Sequence, residues 1–170
     1  QVLRRMGASI DETPDPDDGS GEPVGALRVR SADLHGVEIT PEDVAFAIDE
    51  MPILSLAATM ARGATSIRGA GELRAKESDR IAGVADGLTQ LGLRVRVEGD
   101  DLHFVGGERP KGGTPAVRGD HRLAMTFAVA ALVGGGAVEI DEPEAAAVSY
   151  PTFFDDAARV AGGATHGTRA

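Results

Sequence analysis

The sequence repeats its own pattern of structural signals, and this repeat restricts the fold more than any other feature. An Asp-led apolar helix pattern begins near Asp49 and again 71 residues later, at Asp120. The strand pattern Gly-Ala-x-x-Ile follows each time, at 63–67 and, 73 residues further on, at 136–140. Helix ends of similar form close at Gly7 and, 85 residues later, at Gly92. Self-similarity of this length indicates a repeated architecture more strongly than a single motif does.

We interpret the repeat as two whole copies of a β-α-β-α-β-β unit, preceded by the end of an earlier copy. The predicted boundaries are a partial unit at 1–35 and units at 36–107 and 108–170. Two helices per copy, with short strands between them, predict an α/β fold in which helices are buried together behind outward-facing sheets. The helix patterns at 53–62 and 123–132 lack a polar face, so we expect them at the centre.

Alternating apolar and polar residues predict the strands. Residues 93–97 and 102–105 form a predicted hairpin about Gly99-Asp100, and 26–30 is predicted to be a half-buried strand. Shorter strands are expected at 8–10, 37–39, 65–68, 116–118 and 137–140. The Asp-, Pro- and Gly-rich stretch 11–23 is expected to be an exposed hairpin loop or a mobile segment.

Composition excludes several classes of function. The chain has no Cys, which rules out disulfides, thiolate catalysis and Cys-bound metals within it. Its net charge of −10 argues against non-specific binding to nucleic acid or an anionic membrane. The sequence has neither an apolar run of the roughly 20 residues that span a bilayer nor a signal-peptide pattern, so we expect a cytoplasmic protein.

The most polar helix start in the sequence is Leu73-Arg74-Ala75-Lys76-Glu77-Ser78-Asp79-Arg80. Ser78 or an acidic neighbour is expected to cap the helix, whose free N–H groups favour an anion. Lys76 and Arg80 are four residues apart, which predicts that they share one helical face and hold one anionic group. A solvated, salt-bridged helix start would explain the same residues without any ligand.

A second polar helix start, Gly119-Asp120-His121-Arg122, favours the chemical interpretation. Helices that pack side by side would bring their N-termini to one end of the domain. Lys76, Arg80, His121 and Arg122 would then line a site for a small molecule with several negative charges. Two alternatives stay open: Asp49 could be only a helix cap, and His121 could be structural. We expect Asp79 and Asp120 to cap and orient rather than to react.

Four strings of residues, taken in order, resemble one enzyme family. They are Ile48-Asp49-Glu50-Met51-Pro52-Ile53-Leu54, Leu73 to Arg80 as given above, Gly119-Asp120-His121-Arg122-Leu123-Ala124-Met125 and Val148-Ser149-Tyr150-Pro151-Thr152-Phe153-Phe154. Together they resemble the C-terminal part of the 5-enolpyruvylshikimate-3-phosphate synthases. The resemblance implies two similar domains of three β-α-β-α-β-β units each, joined by a hinge. The chain would be most of the second domain, with the first domain absent, of a protein that is monomeric when full-length.

The resemblance also implies a reaction. The enolpyruvyl group of phosphoenolpyruvate would pass to the 5-hydroxyl of shikimate 3-phosphate, with release of phosphate and with no metal or organic cofactor. Asp49 falls on the carboxylate that binds the shikimate hydroxyls and acts as base, and Glu77 on the acid that protonates the methylene carbon. The substrate-binding positions are Asp49, Lys76, Arg80, His121 and Arg122.

Two positions depart from the family pattern, and two rival functions share some of the features. Ala75 replaces a usual Val, and Val148 stands where many members carry a Lys that contacts phosphoenolpyruvate. UDP-N-acetylglucosamine enolpyruvyl transferase would have the same fold with another acceptor. A non-catalytic repeat scaffold would explain the repeated units but not the charged residues at the helix starts.

Overall fold

The computed structural model describes residues 1–15 and 24–162. Six helices and six strands are found there, with short 3₁₀ turns at Ile48–Glu50, Gly71–Ala75 and Pro143–Val148. The helices are α1 (Val2–Arg5), α2 (Pro41–Phe46), α3 (Met51–Met60), α4 (Arg80–Gln90), α5 (His121–Val133) and α6 (Phe153–Val160). The strands are β1 (Ser9–Pro14), β2 (Gly25–Arg30), β3 (Glu38–Ile39), β4 (Thr65–Ile67), β5 (Val95–Glu98) and β6 (Asp101–Phe104).

A four-stranded sheet covers one side of a helical layer. Its strand order is β3-β4-β6-β5, with β3 and β4 parallel and the other pairs antiparallel. One cross-strand row, Ile39, Ile67 and Leu102, is buried against the helices. The alternate row faces outward and is polar: Glu38, Ser66, His103 and Arg96. The predicted α/β fold with outward-facing sheets is therefore confirmed.

Helices α3, α4 and α5 pack against one another in the core. Glycines let α4 approach α5 closely, because a Cβ at Gly87 would overlap the Phe127 ring and one at Gly83 would lie 2.5 Å from Leu123 Cδ1. Phe127 and Leu123 are fully buried at this contact. The apolar patterns at 53–62 and 123–132 were correctly predicted to be central, because helices without a polar face must be covered.

The middle unit of the repeat is complete in the structure. Residues 36–107 run β3, α2, α3, β4, α4, β5, β6, so the predicted β-α-β-α-β-β order is present with the short helix α2 added, and α1, β1 and β2 precede it. The hairpin about Gly99-Asp100 is confirmed. The third copy contains α5 and α6, with no strand pair after α6 in the described residues. The unit boundaries themselves stay a prediction.

Two short strands predicted in the third copy are wrong. Residues 116–118 and 137–140 form no strand, and a single parallel bridge joins Gly113 to Val138. At 116–118 the reason is that the Val117 N–H donates to the Asp141 side chain (3.0 Å) rather than to a neighbouring strand, whereas the backbone of 137–139 pairs with the single residue Gly113. A side-chain acceptor thus replaces the ladder that the alternation predicted.

The first hairpin also differs from its prediction. β2 is exposed along its whole length rather than half-buried, with Leu27 70% and Val29 67% exposed. Among the described residues β2 pairs only with β1, so no second layer covers its apolar side chains. Within the predicted loop 11–23, residues 11–14 belong to β1. Residues 16–23 lie outside the described residues.

Helices long and apolar enough to cross a membrane are absent from residues 1–15 and 24–162.

Candidate active site

The N-termini of α3, α4 and α5 meet at one end of the helical layer. Pro52 lies in the first turn of α3, where its missing N–H costs nothing, and Asp49 sits in the 3₁₀ turn immediately before it. Asp79 caps α4 by accepting from the Ala82 N–H (3.0 Å), and Asp120 caps α5 by accepting from the Arg122 N–H (2.9 Å). Three aligned helix starts place several free N–H groups at one surface.

Arg80 lies beneath this surface and connects its charged side chains. Its side chain is only 1% exposed. The Nε–H donates to Asp120 Oδ2 (2.8 Å) and the Nη1 group to Asp49 Oδ1 (2.9 Å). The Nη2 group donates to Glu77 and, at 3.3 Å, to Asp120 Oδ1. These four hydrogen bonds join one buried guanidinium to three carboxylates.

Asp120 is fully buried, and both of its carboxylate oxygens accept hydrogen bonds. It accepts from Arg80, from the Arg122 N–H and from the Ser78 hydroxyl (2.9 Å). Burial raises the pKa of Asp120, but the hydrogen bonds from Arg80 and Ser78 outweigh it, so the pKa lies below its usual range. Asp120 is thus a buried carboxylate that holds Arg80 and begins α5, which confirms the expected capping role.

Asp49 connects the two arginines. Besides Arg80, it contacts Arg122 Nη2 at 3.4 Å, and Arg122 Nη1 donates to Glu50 Oε1 at 3.1 Å. Burial raises the pKa of Asp49, yet the hydrogen bond from Arg80 and the charges of Arg122, Arg80 and Lys76 lower it below its ordinary value. The Arg122 Nε atom is buried and has no hydrogen-bond partner among the described residues.

Lys76 and Arg80 do not share a helical face, so that prediction is wrong. Lys76 lies in extended backbone (φ −86°, ψ −161°) after the 3₁₀ turn, and α4 begins only at Arg80. The Asp79 cap breaks the helix between them, which removes the i,i+4 geometry. Lys76 still lies close enough to Asp49 for its charge to lower that carboxyl's pKa.

His121 is the first residue of α5 and is partly buried beside Asp120 and Arg122. Its predicted role as a substrate contact stays a prediction. Val148, at the position where many relatives were expected to carry Lys, ends the 3₁₀ turn Pro143–Val148 and is 80% exposed.

Sequence reasoning missed two members of the cluster. Glu50 pairs with Arg122, 72 residues away, and Ser78 donates to Asp120, 42 residues away. Glu50 gave one usable signal, namely its position beside Asp49. The partner of the Ser78 hydroxyl could not be inferred, since a serine near a helix start ordinarily suggests a cap.

The cluster has groups that can bind an anion and move protons, but both of its arginines are already paired with carboxylates. Four carboxylates (Asp49, Glu50, Glu77 and Asp120) face three cations (Lys76, Arg80 and Arg122), which leaves one negative charge. Groups of three His, Asp or Glu side chains placed to bind a metal ion do not occur in the described ranges. Carboxylates and guanidinium groups gathered at one surface can supply ionic recognition and acid–base catalysis.

Comparison with known proteins identifies the family. The sequence model described as EPSP synthase (3-phosphoshikimate 1-carboxyvinyltransferase) matches residues 1–157. The chain belongs to the EPSP synthase family. A 3-phosphoshikimate 1-carboxyvinyltransferase of Roseiflexus castenholzii is 49% identical over 94% of the chain, and one of Leuconostoc citreum is 46% identical over 94%. The chain spans only 37% and 38% of the lengths of these two relatives.

Solved structures of an EPSP synthase and of another enolpyruvyl transferase have the same fold. An EPSP synthase from Acinetobacter baumannii superposes with a TM-score of 0.84 at 35% identity, covering 94% of this chain and 37% of that one. The enolpyruvyl transferase NikO from Streptomyces tendae gives a TM-score of 0.69 at 26% identity, covering 93% of this chain and 33% of its own. The expected enolpyruvyl transferase-like fold is confirmed.

Proposed function

We propose that the protein containing this chain transfers the enolpyruvyl group of phosphoenolpyruvate to the 5-hydroxyl of shikimate 3-phosphate and releases phosphate. Membership of the EPSP synthase family supports the reaction. One observation assigns the reaction to particular residues. Asp49, Glu77 and Arg122 lie together around Arg80, although they come from helix starts far apart in sequence. Residues on separate surfaces could not have served one small ligand.

Asp49 is the proposed base for the acceptor hydroxyl. Arg80 and Arg122 hold its pKa low, which keeps it ionised but weakly basic. An anionic substrate that attracts these guanidinium groups would release Asp49 from them. Its pKa would then rise toward the value that general-base catalysis at neutral pH favours.

Glu77 is the proposed acid that protonates the methylene carbon of phosphoenolpyruvate. Its carboxyl is half-exposed, and within residues 1–15 and 24–162 Arg80 is its one ion-pair partner, so it can turn toward a ligand. Addition and elimination each need a proton moved, and two carboxylates joined to one guanidinium allow both steps at one site. Neither step needs a metal or an organic cofactor.

Arg122 is the proposed direct contact for the anionic substrate, because it is 29% exposed and its Nε has no partner among the described residues. Arg80 is nearly inaccessible, so a substrate reaches it only when Glu77 or Asp49 turns away. Lys76 and His121 complete the proposed binding set. A planar guanidinium fork suits carboxylate and phosphate groups better than a point charge does.

The negative charge of the cluster indicates that further cations are needed to bind two anionic substrates. We propose that they come from a first domain, and that this chain forms most of the second domain of a two-domain protein. The full-length protein is proposed to act as a cytoplasmic monomer. Its two substrates would then bind between the domains.

Glu77→Gln in the full-length protein tests the proposal. Removing the acid should cut kcat by at least about a hundredfold, because general acid catalysis contributes that much or more, while substrate binding stays within a few-fold. The assay measures phosphate released from phosphoenolpyruvate in the presence of shikimate 3-phosphate. Glu72→Gln is the matched control, since Glu72 is an exposed carboxylate in the preceding 3₁₀ turn.

Two results would contradict the proposal. Unchanged turnover in Glu77→Gln would remove that residue from the mechanism. Phosphate release by the unmodified protein with UDP-N-acetylglucosamine but not with shikimate 3-phosphate would assign it to the rival acceptor.

A further inference from the structure

The turn that leads into α5 is held in an unfavourable backbone conformation. Arg118 has φ +61° and is the one non-glycine residue with positive φ in the described part of the chain. Gly119 follows with φ +70°. A side chain in the left-handed region is disfavoured by contact of its Cβ with the backbone, so surrounding groups must hold it there.

Side chains from two other segments fix this turn. The Gly119 N–H donates to Glu142 Oε2 (2.6 Å) and the Val117 N–H to Asp141 Oδ1 (3.0 Å). The Arg118 guanidinium donates to Asp86 of α4 (2.5 Å). The turn also closes on itself, because the Asp120 N–H donates to the Val117 carbonyl (3.1 Å). A charged acceptor at 2.6 Å makes the Glu142 contact the strongest of the backbone hydrogen bonds here.

Glu142 is itself well anchored. It immediately precedes the 3₁₀ turn Pro143–Val148, in which Ala145 and Ala146 are buried and pack into the core beside α5. Its carboxylate is therefore carried by backbone that has little freedom to move. A rigid acceptor can hold a strained neighbour, whereas a mobile one would relax with it.

The residue fixed by this turn is Asp120. Both oxygens of its buried carboxylate are engaged, by Arg80, Ser78 and the Arg122 N–H. A displacement of Asp120 would therefore displace Arg80, and with it the contacts to Asp49 and Glu77. The substrate-facing residues depend on the backbone position of 118–120 through this one carboxylate.

We propose that Glu142 is a positioning residue for the enolpyruvyl transfer site. Its carboxylate holds the strained Arg118-Gly119 turn, and through that turn it sets the position of Asp120 and Arg80. Glu142 does not contact Arg80 and has no place in the acid–base steps. The expected change in kcat/KM rests on the proposed function. The expected effect of Glu142 on the turn does not depend on it.

The experiment uses four single substitutions in the full-length protein, and the two at Arg118 are also combined with Glu142→Ala. Glu142→Ala removes the acceptor, and Glu142→Gln keeps a side-chain oxygen that can accept from Gly119. Arg118→Ala and Arg118→Gly both lose the ion pair with Asp86, but only glycine removes the Cβ that makes positive φ unfavourable. The readouts are kcat/KM for phosphoenolpyruvate, thermal stability, and hydrogen exchange of the Gly119 and Arg122 amides.

We expect kcat/KM to fall at least about tenfold in Glu142→Ala, the change expected from a lost hydrogen bond to a charged acceptor, and Gly119 exchange to accelerate similarly. Glu142→Gln should stay within about threefold of the unmodified protein, because the acceptor is retained. In the Glu142→Ala background, Arg118→Gly should retain about fivefold more activity than Arg118→Ala, since it removes the left-handed strain.

Several results would overturn the inference. One is a kcat/KM within twofold of the unmodified protein in Glu142→Ala. A second is an equal loss in Glu142→Ala and Glu142→Gln, and a third is a fall in thermal stability with neither activity nor Gly119 exchange changed. If Glu142→Ala does not fold, Glu142→Asp takes its place in every comparison, including the Arg118 pair, because its shorter side chain withdraws the carboxylate from the Gly119 N–H; the same criteria then apply. An unmodified protein without phosphate release would refute the proposed function instead, while the exchange measurement would still test the turn.

Discussion

Replacing Asp120 by Asn should expose how much the fold depends on the buried ion pair with Arg80. Both partners are inaccessible, at 0% and 1% side-chain exposure, and they are joined by two hydrogen bonds of 2.8 and 3.3 Å. Removing one member of a buried pair typically costs 3–5 kcal/mol, because the other charge is left uncompensated. Since Arg80 keeps Asp49 and Glu77, we expect about 3 kcal/mol, the lower end of that range.

Asp79→Asn is the matched control. Asp79 also caps a helix, α4, but its side chain is 38% exposed and its ion pair with Arg74 lies at the surface. Asn caps helices about as well as Asp, and exposed ion pairs contribute little, so this variant should lose less than about 0.5 kcal/mol. The two substitutions share the chemical change and the capping role, and differ in the burial of the charge.

Urea denaturation of the full-length protein, followed at neutral and at acid pH, measures both effects. The folded pKa of Asp120 is depressed, so its contribution to the free energy of unfolding is complete above the unfolded pKa of about 3.9 and disappears as the pH falls through the folded pKa. The difference between Asp120→Asn and the unmodified protein should therefore shrink below about pH 4. A loss below 1 kcal/mol at pH 7, or one equal to that of Asp79→Asn, would refute the reasoning.

Two further predictions concern helix packing and the need for additional chain. Gly87→Ala should destabilise the protein by about 1–3 kcal/mol in denaturant titrations, because its Cβ would overlap the buried Phe127 ring, whereas Gly135→Ala, which meets no atom within 4 Å, should change stability little. A loss in Gly135→Ala as large as that in Gly87→Ala would contradict this. Residues 1–170 alone should show no measurable phosphate release, because the site lacks cations in excess of its carboxylates; ordinary turnover by this chain would overturn the proposed first domain.

Local signals in the sequence were enough to predict much of the architecture. Pro52 and Asp79 mark helix starts, and Gly92, with φ +79°, follows the end of α4 in a conformation that favours glycine. The all-apolar pattern of α5 required burial, and burial is what the structure shows. Each of these features depends on residues within a few positions of one another, so the sequence alone can specify them.

The sequence also predicted the convergence of helix starts, though not their pairing. The repeat implied that α3, α4 and α5 would pack side by side, and this brought Asp49, Arg80 and Arg122 together. The predicted pairing of Lys76 with Arg80 failed because the chain is extended just before Asp79. An i,i+4 relation holds only where the helix continues through both residues.

What the sequence by itself determined is the order of α3, α4, α5 and α6 and the burial of α3 and α5, together with the end of the domain at which charged side chains gather. Only the tertiary structure decided which charges neutralise one another. Arg80 takes its partners from positions 49, 77 and 120, and Glu142 supports a turn 23 residues before it. The physical reason is that ion pairs and hydrogen bonds depend on distances of about 3 Å, which are set by packing between segments and not by spacing along the chain.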